Sequence, residues 1–269
     1  MRIEQIFPHG FCGGVERAIR MAHEVLDRTG GTVYGLHEIV HNEAVVGRLV
    51  SKGMVFVDSV AEIPDGATVL VSAHGTSPAT YAEAERRRLN VVDATCPFVS
   101  VVHAKIRENF KKGLRTRVIG NPEHAEVRGY LGEKGACLPE DVRPGEETGM
   151  VVQTTLDAAG HEGVCMATRD RQFAVRDFLE KEFSKGLSLS SVGVLVVGSV
   201  KSSNTAKMAE IAGLHGAKVW RVACGDDIEG IDFSGIEVVG VTSGASTPED
   251  VFDGVCAAAK AKLQRTHGV

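Results

Sequence analysis

The sequence lacks a long apolar run, an excess of positive charge and any closely spaced pair of cysteines. Its longest apolar stretch, Val192 to Val197, is far too short to cross a bilayer, so no membrane segment is expected. The net charge is −5 at pH 7 and the basic residues are scattered, which gives no electrostatic case for binding nucleic acid. Residues 1–14 contain neither a basic segment nor an apolar one, so no secretory signal is expected.

The cysteines are spread along the chain without a C-x-x-C pair, at positions 12, 96, 137, 165, 224 and 256. A chain of this length does not need disulfide bonds for stability. Without an export signal we expect a cytoplasmic location, where the environment is reducing. The thiols are therefore expected to be free or bound to a metal.

Short apolar runs alternate with helical patterns along the chain, separated by turns of small or polar residues. Strands are predicted at residues 2–7, 68–72 and 192–197, among others, and the last is apolar throughout, as in strands buried inside a parallel sheet. The unit of strand, turn and helix repeats at least six times. This pattern predicts an α/β fold with mostly parallel sheets, in which ligands bind at the carboxyl ends of the strands.

Three cysteines lie in turns that lead into a predicted helix. Cys96 precedes Pro97, which suits the first position of a helix, and Cys12 and Cys165 also stand directly before helical patterns. A thiol there faces the positive end of the helix dipole, which favours the thiolate that binds metals or attacks electrophiles. A lone cysteine could equally be a small buried residue, but the recurrence favours a metal site. Three thiolates could hold zinc or three corners of an iron–sulfur cluster, and their spacing does not decide between these.

Other turns carry histidines, hydroxyl groups and a carboxylate that suit a phosphate-bearing ligand. A helix N-terminus with serine hydroxyls and free backbone N–H groups is a natural phosphate site, and imidazoles extend it to a highly charged anion. Structural alternatives remain, because Ser202-Ser203-Asn204 and Ser246-Thr247 also suit helix caps and His124-Ala125-Glu126 suits a solvated loop. The candidates are His41, His74, His124, Glu126, Thr154, Thr155, Ser202, Ser203, Asn204, Ser246 and Thr247.

The stretch His37-Glu38-Ile39-Val40-His41 matches the H-E-x-x-H pattern of zinc metalloproteases. That pattern requires a helix, on which both imidazoles share a face. Here the β-branched residues before His41 predict a strand, and the next helix is expected to begin after Asn42. On a strand the two imidazoles would lie roughly 13 Å apart, too far to share a metal.

A series of short motifs runs in order along nearly the whole chain. They are Gly10-Phe11-Cys12-x-Gly14-Val15, His37-Glu38-x-Val40-His41-Asn42, Ser72-Ala73-His74-Gly75, Asp93-Ala94-Thr95-Cys96-Pro97, His124-x-Glu126-Val127, Gln153-Thr154-Thr155-Leu156, Cys165-x-Ala167-Thr168, Arg171-Gln172, Ser202-Ser203-Asn204 and Gly244-Ala245-Ser246. The series closely resembles the 4-hydroxy-3-methylbut-2-enyl diphosphate reductase family, also called the LytB/IspH family.

This resemblance implies a fold and a cofactor. Members of the family have three small α/β domains with mostly parallel sheets, arranged as a pseudo-threefold cloverleaf around a central [4Fe-4S] cluster. By motif, Cys12, Cys96 and Cys165 would be the cluster ligands, and the fourth iron would be open to substrate. The corresponding domains are expected at residues 1–97, 98–164 and 165–269.

The resemblance also implies an activity and a set of site residues. The expected reaction removes the hydroxyl of (E)-4-hydroxy-3-methylbut-2-enyl diphosphate and gives isopentenyl and dimethylallyl diphosphate, the last step of the methylerythritol phosphate pathway. Glu126 would be the proton source and Thr154 would touch the substrate hydroxyl, with ferredoxin or flavodoxin as electron donor. The diphosphate would be held by His41, His74, His124, Ser202, Ser203, Asn204 and Ser246.

The chain departs from the family pattern in a few places. The segment between Thr155 and Cys165 is much shorter than in the members compared, while Asn121, Ala125 and Asp170 replace residues common in the family. Three alternatives therefore stay open. They are a related protein with an altered substrate, a non-catalytic redox sensor that carries a cluster, and a colourless zinc hydrolase.

Overall fold

The computed structural model describes residues 1–267, with side chains described up to residue 265. Short strands alternate with helices throughout this range, as the sequence pattern predicts. The strands are β1 (Arg2–Gln5), β2 (Val33–Leu36), β3 (Met54–Val57), β4 (Thr68–Val71), β5 (Asn90–Asp93), β6 (Arg115–Ile119), β7 (Ala136–Cys137), β8 (Thr148–Val152), β9 (Val192–Val197), β10 (Lys218–Val222) and β11 (Val238–Ser243).

The helices begin where the sequence offers capping residues. Asn42 accepts the backbone N–H of Val45 at 3.2 Å, and Pro97 occupies the first turn of its helix. The helices are α1 (Gly13–Thr29), α2 (Glu43–Ser51), α3 (Pro78–Arg86), α4 (Pro97–Lys111), α5 (Ala125–Leu131), α6 (Met166–Ser184), α7 (Ser203–Leu214) and α8 (Glu249–His267). Among the described residues, no helix combines the length and the hydrophobicity that a membrane crossing requires.

The chain divides into two compact units. Unit 1 comprises Met1–Cys12, Thr155–Gly160 and the described part of Cys165–Val269, and it contains one sheet of order β1-β11-β9-β10. All its strand pairs are parallel. Alternate residues of β9 enter two hydrophobic clusters, one with Leu179 of α6 and Met208 of α7, the other with Phe252 of α8. Because both faces of β9 are covered, its sequence is apolar throughout.

Unit 2 comprises Gly13–Thr154 and His161–Val164 and contains two sheets. The first has the order β3-β2-β4-β5 and the second the order β7-β6-β8, and every pairing is parallel. Each sheet has its own cluster of buried side chains, with Leu36 and Val69 in the first and Val118 and Tyr130 in the second. The predicted α/β fold with mostly parallel sheets is therefore confirmed.

Two details differ from the sequence prediction. The loop predicted through Glu126 is wrong, because α5 begins at Ala125 and turns most of its residues inward, including Glu126 at 2% exposure and Tyr130 at 0%. Residues 1–12 lie in unit 1 because β1 pairs with β11, whereas the predicted range 1–97 joins them to the sheet of β2 to β5. The three domain ranges, 1–97, 98–164 and 165–269, otherwise stay a prediction.

Candidate active site

Three histidines of unit 2, here called the histidine triad, meet at the carboxyl ends of its strands. His41 follows β2, His74 follows the neighbouring strand β4, and His124 follows β6. The ring centroids of His41 and His74 lie 4.5 Å apart, and each lies 5.3 Å from that of His124. One nitrogen of each ring can be chosen so that all three lie within 4.8 Å of one another. The fold thus brings together three residues that the sequence placed in separate turns.

Two rings of the triad, those of His74 and His124, have lowered pKa values. Burial, followed by the charges of the neighbouring imidazoles, lowers the pKa of His74 well below its ordinary value and that of His124 to about 4. His41 is oriented by Glu38, whose carboxylate lies 3.4 Å from its Nδ1. Neutral imidazoles act as hydrogen-bond donors or as metal ligands, so the tautomer decides what they bind.

The tautomer of His124 follows from its position at the start of α5. Its Nδ1 accepts the backbone N–H of Glu126 at 3.3 Å, which satisfies one free amide of the helix terminus. The ring proton must then lie on Nε2, which makes Nε2 a donor. A donor suits an anion rather than a metal cation, and a bound dianion would draw further protons onto the triad.

Glu126 is a buried acid two residues after His124. It is 2% exposed, and its Oε1 accepts the backbone N–H of Thr154 at 2.6 Å. The Thr154 hydroxyl lies 3.0 Å from its Oε2. These contacts form because β6 and β8 are paired with Ile119 opposite Val152, so the segments that follow the two strands run side by side.

Burial raises the pKa of Glu126, and the hydrogen bonds from Thr154 and Tyr130 oppose that shift in part. The carboxyl group therefore keeps its proton to higher pH than an exposed glutamate does. A protonated carboxyl beside a hydroxyl can act as a general acid near neutral pH.

A second set of polar side chains surrounds the N-terminus of α7 in unit 1. Ser202 caps this helix by accepting the backbone N–H of Thr205 at 3.3 Å. Asn204 is only 4% exposed, and neither polar atom of its side chain has a hydrogen-bond partner among the described residues. An unsatisfied buried amide at a helix N-terminus indicates room for a polar ligand.

Two glycines allow the surrounding turns to approach this helix terminus. A Cβ at Gly244 would lie 2.2 Å from the Thr205 Oγ1 and 3.4 Å from the Ser202 Oγ, and one at Gly198 would lie 2.6 Å from the Thr205 Oγ1. The glycines thus bring the turn that precedes Ser246 against the start of α7, where Ser202 and Thr205 lie.

The cysteine turns of unit 1 are held by a buried arginine. Cys12 stands immediately before α1, and Cys165 is the N-cap residue of α6 with its Sγ 3.2 Å from the Thr168 Oγ1. Arg171 is 3% exposed and donates to the carbonyls of Gly10 and Ala167, both at 2.9 Å. Burial lowers the pKa of Arg171, and the charges of Cys12 and Cys165 oppose the shift. The guanidinium therefore links the two turns by hydrogen bonds, and its positive charge interacts with the sulfurs of both Cys12 and Cys165.

The third cysteine turn lies in unit 2. Cys96 is the N-cap residue of α4, and its backbone N–H donates to the Ala73 carbonyl at 3.0 Å. This bond joins the Cys96 turn to the turn that carries His74. None of the six cysteines, all of which the structure describes, is in a disulfide bond, and burial raises the pKa of Cys137 and Cys256, which makes these two unreactive.

The H-E-x-x-H stretch does not form a metalloprotease site. Residues 37–41 lie in the loop between β2 and α2 rather than on the predicted strand. His37 adopts a left-handed backbone conformation, with φ 58°, and its Nδ1 faces Asp58 at 3.6 Å. Only His41 joins the triad, so the two imidazoles of the motif do not share a helical face.

Sequence reasoning missed the support that two residues give to the site. Tyr130 donates to Glu126, and Gln172 holds the shortened segment by bonding the Leu156 carbonyl at 2.8 Å and the Ala158 N–H at 2.7 Å. Arg176 adds an ion pair to Asp157 of that segment. The Arg171-Gln172 motif was a usable signal for Gln172, whereas Tyr130 reads as an ordinary core residue.

Comparison with known proteins gives consistent matches over most of the chain. The family model described as LytB protein matches residues 3–260. A 4-hydroxy-3-methylbut-2-enyl diphosphate reductase of Zymomonas mobilis is 38% identical, and the match covers 94% of this chain and 81% of that protein. The protein of the same name in Mannheimia succiniciproducens is 37% identical, with 97% and 90% covered. The solved structure of the E-1-hydroxy-2-methyl-but-2-enyl-4-diphosphate reductase from Plasmodium falciparum has a TM-score of 0.85 and 28% identity, and the match covers 95% of this chain and 86% of that chain.

Proposed function

The chain belongs to the LytB protein family, and we propose that it reduces (E)-4-hydroxy-3-methylbut-2-enyl diphosphate to isopentenyl and dimethylallyl diphosphate. The observation that carries this proposal is the buried acid Glu126, which lies two residues from His124 of an anion-binding triad and contacts the Thr154 hydroxyl. The reaction consumes two electrons and two protons, and the substrate hydroxyl leaves as water. The enzyme would then act last in the methylerythritol phosphate pathway.

The diphosphate end of the substrate is the natural ligand of the histidine triad. The Nε2–H of His124 donates to a phosphate oxygen, and the negative charge of the ligand favours protonation of His74. We assign the hydroxyl-bearing set of unit 1 to the same substrate group, because the unsatisfied Asn204 amide and the α7 N-terminus both suit an anion. That set is Ser202, Ser203, Asn204 and Ser246. Anchoring the unreactive end fixes where the substrate hydroxyl lies.

Glu126 and Thr154 supply the one proton that the substrate oxygen takes up as it leaves as water. A protonated Glu126 donates to the Thr154 hydroxyl, which in turn donates to the substrate oxygen as it departs. Burial raises the pKa of this acid, so it keeps its proton to higher pH than an exposed glutamate does, and burial also excludes competing water. A positioned general acid typically contributes about 10²–10⁴ in rate.

The cysteine turns suit an iron–sulfur cluster, as the resemblance implies. Three cysteines outside disulfide bonds each stand directly before a helix, namely Cys12, Cys96 and Cys165, and the positive charge of Arg171 interacts with Cys12 and Cys165. We propose these thiolates as the ligands of a [4Fe-4S] cluster with one iron left for the substrate. When bound, the cluster supplies the electrons and a Lewis acid for the departing hydroxyl. Ferredoxin or flavodoxin is the proposed electron donor, in a cytoplasmic setting.

Anaerobic purification followed by a turnover assay tests the proposal. The protein should be brown and should oxidise a reduced viologen only when the hydroxylated allylic diphosphate is added. Cys96→Ser should lose the cluster, whereas Cys224→Ser, at an exposed cysteine outside the three turns, should keep it. A colourless zinc protein, or a brown protein without turnover, would contradict the proposed function and favour the hydrolase or the sensor, respectively.

A further inference from the structure

Tyr130 is a buried residue of α5 to which the proposed mechanism gives no role. It lies one helical turn after Glu126 on the same face of the helix, and it is 0% exposed. Its hydroxyl donates to Oε1 of Glu126 at 2.8 Å. Its ring packs edge-on against His103, with centroids 4.9 Å apart, and Nδ1 of His103 is bonded to Glu133 at 2.8 Å. The phenol is therefore fixed at both its ring and its hydroxyl.

The two oxygens of the Glu126 carboxyl group have different partners. Oε1 accepts two hydrogen bonds, from the Thr154 backbone N–H at 2.6 Å and from the Tyr130 hydroxyl at 2.8 Å. Oε2 lies 3.0 Å from the Thr154 hydroxyl. A carboxyl oxygen offers two lone-pair positions, so both positions of Oε1 are occupied.

This difference decides which oxygen carries the acidic proton. A proton on Oε1 would displace one of the two donors and leave a buried polar group without its partner, which is costly. A proton on Oε2 instead forms a hydrogen bond to the Thr154 oxygen, and the hydrogen of that hydroxyl is then free to point onward. The hydroxyl of Thr154 can accept and donate at once, which a backbone N–H cannot do.

We propose that Tyr130 is a positioning residue that confines the acidic proton of Glu126 to Oε2 and so directs it to the Thr154 hydroxyl. The inference rests on the proposed function, in which Glu126 is the proton source. Tyr130 itself acts only through Glu126. Without its hydroxyl, the second lone pair of Oε1 becomes available, and a share of the protons would face away from Thr154.

The variant Tyr130→Phe removes the hydroxyl and keeps the ring against His103. The protonation of Glu126 is followed directly, in the purified enzyme, by the infrared carbonyl band of its protonated carboxyl group, which Glu126→Gln identifies by its loss. Because a donor to the carboxylate is removed, the titration of this band should move up by about one pH unit. The basic limb of the pH profile of kcat should also move to higher pH. At its plateau, kcat should fall roughly 5–10-fold with KM within about twofold, well short of the loss expected for a missing general acid.

A fluorinated tyrosine at position 130 strengthens the hydrogen bond to Glu126 instead of removing it, and its side chain is nearly the same size as that of tyrosine. Its more acidic hydroxyl is a stronger donor, so the band and the pH limb should both move to lower pH. Tyr34→Phe is the matched control, because Tyr34 packs on the cluster of the other sheet of unit 2. It should leave the band and the profile unchanged.

Opposite shifts in the two Tyr130 variants would support the inference. Titrations and pH profiles that match the wild type in both would overturn it, and so would equal shifts in Tyr34→Phe. If Tyr130→Phe does not fold, the fluorinated variant alone tests the inference: a shift of the infrared titration to lower pH supports it, and no shift or a shift to higher pH overturns it. A wild-type enzyme without reductase activity would contradict the proposed function, while the infrared shifts would still support the placement of the proton.

Discussion

The contact between Gly244 and the start of α7 allows a prediction of defined size. In Gly244→Ala the new Cβ would lie 2.2 Å from the Thr205 Oγ1, more than 1 Å closer than ordinary contact. Thr205 is 0% exposed and its own Cβ would lie 3.5 Å from the new Cβ, so its side chain has little room to move away from the overlap. Overpacking of this kind costs about 2 kcal/mol, which lowers the melting temperature by about 4–8 °C for a chain of this size. The Ser202 Oγ lies 3.4 Å from the same Cβ, so its displacement should weaken pyrophosphate binding by about tenfold.

A second substitution in the same contact should reverse the effect. Thr205→Ala removes the clashing hydroxyl, which has no hydrogen-bond partner among the described residues, so its loss costs little. The double variant should recover most of the lost melting temperature and pyrophosphate affinity, as measured by scanning calorimetry and titration calorimetry. Gly213→Ala, on the same helix with no atom within 4 Å of the added Cβ, should raise stability by about 0.5–1 kcal/mol. A Gly244→Ala variant as stable as the wild type, or a double variant no better than the single one, would refute the reasoning.

Three further predictions concern charge. Burial raises the pKa of Glu126 above its ordinary 4.5, so the stability that this group contributes is lost as pH rises from 4.5 through the raised value. Glu126→Gln should therefore gain stability relative to the wild type over that pH range in urea unfolding, and a constant difference would contradict this. Because the pKa values of His74 and His124 are lowered in the free enzyme, pyrophosphate should bind with proton uptake, and its affinity should fall as pH rises. Identical binding heats in calorimetry buffers of different ionisation enthalpy would contradict the proton uptake. Arg171→Gln should lower the reduction potential of the proposed cluster by on the order of 60 mV in an electron-paramagnetic-resonance titration, because it removes a positive charge that interacts with two of the proposed cysteine ligands. An unchanged potential would contradict this prediction.

The fold was predictable where helix-start residues or runs of apolar residues mark an element directly in the sequence. The continuous apolar run predicted β9 with the ends it has, because a strand covered on both faces needs apolar residues throughout. Asn42 and Pro97 marked the starts of α2 and α4 for the same local reasons that cap those helices. The start of α5 was missed because it is a short helix with an internal glycine, and it is stabilised by the packing of Val127 and Tyr130 into a hydrophobic cluster rather than by propensity.

The residues of the site were predictable as types, but their contacts were not. The three histidine turns stood out in the sequence, yet the distances within the triad follow from sheet order and from the crossover to β6. The contact of Glu126 with Thr154 depends on the register between β6 and β8, which no local pattern encodes. Tyr130 was missed because a buried tyrosine one turn after a glutamate looks like core until its hydroxyl is seen to reach Oε1.

The most direct test of the account compares product formation by the wild type and Glu126→Gln at equal cluster content. Both proteins are reduced anaerobically and given (E)-4-hydroxy-3-methylbut-2-enyl diphosphate, and isopentenyl and dimethylallyl diphosphate are measured by mass spectrometry. We predict that the wild type forms both products and that Glu126→Gln binds substrate but forms them about 10²–10⁴ times more slowly. No product from the cluster-loaded wild type, or a wild-type rate from Glu126→Gln, would contradict the account.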